Sequence, residues 1–252
     1  MNVGRLLTRR NAILAGLTAA GGLLLHGRSK PLPPTYGHIL RMGDNLTYAA
    51  HRLLLPGQSM AREYSRTQIT PFPAVFIKDS TADTHPMSSA EYRRLRAGGF
   101  ADWRLWVGGL VARRGPYSLA DLKRLPARTQ ITRHTCEEGW SAIGEWTGVQ
   151  LSRVLEAAGM LPEARYVTFH CADTYVDSID LLDALHPQTL LAYGMNGRDL
   201  SVPHGAPVRL RLETQMGYKS MKYVARIEVK NELEEEDIEG TIQDGWSWYA
   251  GI

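Results

Sequence analysis

Residues 128–140 read RTQITRHTCEEGW. Up to His134 the segment alternates as a half-buried strand does, and the Glu-Glu-Gly after Cys136 marks a loop. A thiol is therefore expected at the mouth of a sheet. Arg133 and His134 precede it closely, a cationic setting of the kind that holds a thiol as thiolate, the form that attacks electrophiles or binds metals. The same residue also fits a small buried hydrophobe.

Working outward, Trp103, Leu105 and Val107 alternate as a strand running to Val111, with a bend expected at Gly108-Gly109. Ser118 and Asp121 have the spacing of a capping box ahead of LADLKRL, which Pro126 ends. After the Cys loop, a helix is expected from about Gln150 to Ala158: Leu151, Val154, Leu155 and Ala158 share a face and Gly159 caps it. Arg165–Cys171 alternates again, with Val167, Phe169 and Cys171 on one side. A one-turn helix at 180–185 stops at Pro187, and Asn196-Gly197 predicts a hairpin. In 207–213, Val208, Leu210 and Leu212 are expected inward and Arg209, Arg211 and Glu213 outward. A last strand spans Tyr223–Val229, followed by the acidic run 234–237 and an aromatic tail. Ahead of all this, 35–66 reads as a short helix or irregular arm, and Ser88-Ser89-Ala90-Glu91 caps a helix that Gly98-Gly99 stops. Helices and strands interleave without a βαβ rhythm or an internal repeat, which predicts an α+β fold.

The 252 residues, 44% of them hydrophobic, can bury a sizeable core, and a net charge of +3 with scattered positives argues against nucleic acid as partner. Cys136 and Cys171 could form one disulfide in an exported chain; paired-cysteine metal motifs are absent. Arg5, Arg9 and Arg10 precede an uncharged apolar run from Ala12 to Leu25, the architecture of an export signal. Thr8-Arg9-Arg10-Asn11-Ala12-Ile13-Leu14 resembles a twin-arginine signal. The run is shorter than the ~20 residues of a comfortable span, and no clear Ala-x-Ala site precedes Arg28, so cleavage and retention as an anchor both stay open. The expected organisation is a signal or anchor at 1–28, a linker and arm at 29–60, the main domain at 61–230 and a tail at 231–252. The body is expected in the periplasm or on the outer face of the cytoplasmic membrane.

The polar residues near strand ends are Cys136, Cys171, His204, Arg209, Lys219, Ser220 and Lys222. Cations set among glycines suit a phosphate-bearing ligand, because Arg forks onto phosphate oxygens and Gly lets backbone N–H groups approach. Solvated charges on an edge strand would look the same.

HTCEEGWSAIGEWTGVQL (residues 134–151) resembles the molybdenum-ligating Cys loop of the sulfite oxidase superfamily, in the bacterial branch that includes the catalytic subunit of periplasmic methionine-sulfoxide reductase. HGAPVRLRLETQMGYKSMKYVARIEV (residues 204–229) resembles the pterin-binding segment of the same family. The resemblance, which runs from about Ala101 to Val229, implies a molybdopterin-binding α+β fold of mixed sheets. It implies Cys136 as metal ligand to molybdenum carried on one molybdopterin, and Arg209, Lys219 and Lys222 on the pterin's terminal phosphate. His204 would lie against the pterin, Ser220 would add a donor, Cys171 would stand beside the cofactor, Glu138 near the metal and Trp246 nearest the substrate. The basic cluster of the sulfite-oxidising relatives is missing: Glu137-Glu138 follow Cys136 and would repel sulfite, which favours reduction of S-oxides or N-oxides, on a small molecule or a protein. The family's C-terminal dimerisation domain is not seen, which implies a monomeric catalytic subunit. No Cys-x-x-Cys-His haem motif occurs, which implies a separate electron-transfer partner, a membrane cytochrome or quinone-linked subunit. Two other classes stay open: a cofactor-free binding module of the same fold, and a thiol-redox protein using Cys136 and Cys171.

Overall fold

The computed structural model describes residues 39–55, 59–75 and 89–252. The expected signal at 1–28, the linker that follows it and Ser88 of the expected cap lie outside the described residues. The chain divides into a unit ending at Leu54 and one running Leu55–Ile252. In the first, the segment read as helix or arm forms one helix, α1 (Ile39–Leu54). No helix among the described residues is long and apolar enough to cross a membrane.

The second unit opens with α2 (Ser89–Ala97), β1 (Arg104–Gly109), β2 (Gly115–Ser118), α3 (Leu119–Arg124), β3 (Ala127–Thr135), β4 (Ser141–Gln150) and α4 (Leu151–Ala158). It continues with β5 (Tyr166–Cys171), β6 (Val176–Asp180), α5 (Leu181–Ala184), β7 (Leu190–Met195), β8 (Arg198–Asp199), β9 (Arg209–Arg211), β10 (Val224–Lys230) and α6 (Glu239–Asp244). One sheet runs β2-β1-β10-β5-β6, antiparallel except where β1 lies parallel to β10. The other runs β3-β4-β7-β8, with β9 also paired to β7. The fold is mixed α+β with short helices. One apolar core takes side chains from both sheets, among them Leu105, Val149, Phe169, Leu191, Leu210 and Ile227.

Local chemistry explains these elements. Ser118 Oγ accepts from Asp121 N at 3.0 Å while Asp121 Oδ2 accepts from Ser118 N at 2.8 Å, the reciprocal capping box that starts α3. In α4 the four expected apolar residues are buried, and Gly159 closes the helix at φ 71°. Asn196 and Gly197, both at positive φ, turn β7 into β8. Gly109 bends the end of β1 at φ 76°, where a Cβ would stand 2.1 Å from the Val229 carbonyl oxygen.

One strand went unread in the sequence and one reading changes. β4 carries no alternation because most of its residues are buried on both faces, so the period-2 pattern that betrays a half-exposed strand vanishes. Arg209, Arg211 and Glu213 were expected to face outward, yet all three are buried. Both guanidinium groups lie over the Trp146 ring of β4, at 5.1 and 4.3 Å, and Glu213 takes Arg211 in a two-pronged ion pair. Of the acidic run in the tail only Asp237 folds inward, accepting from Lys230 Nζ at 2.8 Å and Thr168 Oγ1 at 3.0 Å, while Glu234, Glu235 and Glu236 stay exposed.

Candidate active site

Strand β3 ends at a cleft walled by aromatic rings and a few charged and hydroxyl side chains, the mixture that ligand pockets show. Cys136, the first residue past β3, lines it and is 3% exposed. Its N–H donates to Trp140 O at 2.9 Å and its carbonyl accepts from Gly139 N at 3.1 Å, so a tight loop with Gly139 at φ 88° fixes the thiol. Burial pushes this thiol up to about 12, helped by the carboxylates of Glu137 and Glu138. The cationic setting read from the sequence does not form, because Arg133 turns away, with its guanidinium over Tyr64 at 5.5 Å. A thiol so placed is inert as a free nucleophile at neutral pH. It loses its proton when a metal replaces it, since a coordinating thiol is deprotonated outright.

Opposite the thiol, the segment from 204 to 222 supplies cations and donors. Arg209 lines the cleft from β9, buried, with Nη2 donating to Ser220 O at 2.7 Å and Nη1 to His204 O at 3.1 Å. Lys222 also lines it and donates to the Val75 carbonyl. Among the described residues, neither cation has a carboxylate in ion-pair contact. Burial, then the charge of Arg211, pulls Arg209 below the usual guanidinium range. His204 is held at both nitrogens, against Ser201 Oγ at 2.7 Å and Phe72 O at 3.2 Å, and burial lowers its pKa below the ordinary imidazole value. Ser220 lines the cleft while its Oγ accepts from Leu212 N at 3.1 Å.

Trp246 reaches the cleft, its ring 4.5 Å from that of Tyr218. The tail is strapped on to make this possible: Trp248, 2% exposed, donates to Ser178 Oγ at 2.8 Å, and Gln215 bridges to Gly251. Three expected residues are not brought to the cleft wall. Lys219 faces the opposite way from Ser220, fully buried, with Nζ on Asp177 Oδ2 at 2.6 Å and Ser178 O at 2.8 Å. Cys171 lies in the apolar core, where burial raises its thiol well above the ordinary value. Glu138 is exposed and accepts from the Trp140 indole at 2.8 Å and from Cys136 Sγ at 3.8 Å; its neighbour Glu137 takes the place on the wall. Strand alternation could have told Lys219 from Lys222 only if the segment were a strand. It is a 3-10 turn, Gly217–Lys219.

The wall also carries polar atoms the protein leaves unmatched. Glu137 Oε2 and Tyr175 Oη are buried without a hydrogen-bond partner, a condition rare in folded proteins unless a bound group completes it. With the unpaired cations opposite a single soft sulfur, this donor set fits a metal-bearing organic phosphate.

Burial and Arg209 pull Lys222 down to about 8. Its charge is present below that pH and lost above it. Binding of methyl sulfate, a non-titrating stand-in for a phosphate ester, is therefore expected to weaken about tenfold between pH 7 and pH 9 by proton linkage. Calorimetry on the cofactor-free chain measures it, and equal affinity at both pH values would remove Lys222 from the anion site. In the same window the unfolded chain holds this proton better than the folded one, so Lys222 makes the fold more stable as pH rises from about 8 towards its ordinary value.

One mixed and one antiparallel sheet, with a thiol and a cationic wall across a cleft, suit a cofactor-binding protein of the metal-pterin class. Comparison with known proteins agrees: residues 95–237 match the family described as oxidoreductase molybdopterin binding domain. This chain belongs to that family, a molybdopterin-binding family of sulfite oxidase type. Among its relatives is YedZ1 of Azospira oryzae, a subunit named for protein-methionine-sulfoxide reductase, 43% identical over 152 residues. The alignment covers 60% of this chain and 56% of YedZ1, so the chain spans little more than half of that relative. The protein-methionine-sulfoxide reductase catalytic subunit MsrP of Xanthomonas axonopodis pv. citri is 30% identical over 243 residues, covering 90% of this chain and 71% of MsrP. The sulfane dehydrogenase SoxCD of Paracoccus pantotrophus is similar in structure, with a TM-score of 0.51 and 26% identity over 54% of this chain and 40% of that one.

Proposed function

We propose that this chain is a molybdenum-cofactor-dependent oxidoreductase that reduces S-oxides, methionine sulfoxide in proteins among them. The single observation that carries the reading is the cleft itself, with Cys136 facing Arg209 and Lys222 and no carboxylate paired to either cation among the described residues. Cys136 would hold the metal, and Arg209, Lys222, His204 and Ser220 would hold the single pterin and its phosphate. A bound molybdenum-pterin group supplies two-electron oxygen-atom transfer, the hard chemistry, while the protein ligates and orients it. The overall reaction takes an S-oxide, two electrons and two protons to a thioether and water.

The protein's own contribution to selectivity lies at the wall and the mouth. Glu137, whose Oε2 is buried and unpartnered, disfavours an anionic substrate such as sulfite. The Tyr218 and Trp246 rings offer a surface on which sulfur and methyl groups pack well. The names of the relatives support the substrate class, and "catalytic subunit" in the name of MsrP supports a separate electron-delivering partner, a membrane cytochrome or quinone-linked subunit. Arg9-Arg10 and the apolar run after them support export by the twin-arginine route to the periplasmic side. Nothing favours the thiol-redox reading, since Cys136 and Cys171 are both free and Cys171 packs in the core.

The test is to express the full chain with a molybdenum-cofactor maturation system, measure metal and pterin, and assay oxides with a reduced dye. Stoichiometric molybdenum and faster turnover of methionine sulfoxide than of sulfite are expected. Metal-free protein, or sulfite as the better substrate, would refute the proposal.

A further inference from the structure

His134 precedes Cys136 by two residues, and residues so spaced on an extended strand share a face. It is 8% exposed, and what remains open borders the cleft. Arg211 donates through Nη1 to His134 Nδ1 at 2.8 Å. A guanidinium can only donate, so Nδ1 carries the lone pair and the ring proton must sit on Nε2. The arrangement is held from behind. Glu213 grips Arg211 through Nε at 3.0 Å and Nη2 at 2.8 Å, and Gln130 Nε2 donates to Glu213 Oε1 at 3.1 Å, all within buried residues.

The ring is fixed in plane as well as in tautomer, between Phe72 at 5.2 Å and Trp140 at 5.5 Å. Gly217 admits it: a Cβ there would stand 2.4 Å from Nε2. Nε2 finds no hydrogen-bond partner among the described residues. An oriented N–H donor that opens from a buried ring onto a cofactor cleft, with no partner among the described residues, is placed to meet an acceptor in the bound group.

We infer that His134 donates a hydrogen bond from Nε2 to an electron-rich atom of the cofactor bound beside Cys136 and thereby sets its reduction potential. The inference rests on the molybdopterin reading above. A donor to an electron-rich ligand stabilises the reduced, more negative state, so it raises the potential. Arg211 is the positioning residue, because it fixes which nitrogen bears the proton.

The experiment is a redox titration of the molybdenum-loaded full chain, followed by electron paramagnetic resonance. In His134→Leu and His134→Met, the reduced-to-oxidised ratio at a fixed ambient potential should fall about tenfold, the effect of one charge-assisted hydrogen bond. His134→Gln, whose amide N–H reaches the position of Nε2, should return the ratio towards wild type. A loaded apolar variant with the wild-type ratio overturns the assignment of His134 while leaving the cofactor reading intact. A wild-type chain that takes up no molybdenum overturns the cofactor reading and the assignment together.

Discussion

Replacing Cys136 with alanine is expected to leave a folded protein that has lost its metal and turns over S-oxides at least about a hundredfold more slowly, since even groups behind a metal ligand are worth 10- to 100-fold. The thiol's hydrogen bond to Glu138 is long, 3.8 Å, and Cys to Ala removes a single sulfur atom, so the change costs the fold only about 1 kcal/mol. The backbone bonds that shape the loop, to Trp140 O and Gly139 N, do not involve the side chain. Metal analysis and thermal unfolding of the same preparation separate loss of the ligand from loss of the fold. Wild-type activity in this variant would end the assignment of Cys136.

The second large effect concerns Lys219, which the family resemblance assigns to phosphate and the structure pairs with Asp177. Both side chains are fully buried, and the ammonium also lies 5.5 Å from the Trp248 ring of the tail. Asp177→Ala strands a buried ammonium and is expected to cost about 3–5 kcal/mol, lowering Tm by on the order of 10 °C. Exchanging both partners, Lys219→Met with Asp177→Leu, should recover most of that loss, because a well-packed apolar pair often matches a buried ion pair. Calorimetric melting of the two variants measures it. If Lys219 is structural, the double variant also keeps its molybdenum. A double variant with wild-type Tm and no metal would put Lys219 back on the cofactor.

Legibility followed exposure. Where an element is half-buried, its pattern survives in the sequence: α4 with its apolar face, the capping box of Ser118 and Asp121, and the Asn196-Gly197 turn all stand where expected. Where both faces are buried, the pattern disappears, as in β4, or misleads, as in β9, whose alternating arginines are buried like the apolar residues between them. Arg209 and Arg211 look alike in sequence, two residues apart on one face. Their roles part only through the partners the fold gives them, Glu213 and the distant His134 for Arg211, the carbonyls of Ser220 and His204 for Arg209. The pair Glu137 and Glu138 divides in the same way, one on the wall and one clamped to Trp140 in solvent.

The sequence by itself determined the α+β class, the loop that carries Cys136 and the run of donors from His204 to Lys222, because each is written in local periodicity, turn chemistry and the order of residues along one segment. Only the tertiary structure decided which donors face the cleft. That choice depends on a 3-10 turn that sends Lys219 to Asp177 while Ser220 and Lys222 point the other way. It also decided the state of Cys136, because a pKa follows burial and neighbouring charge in space, and Arg133, adjacent in sequence, is turned away.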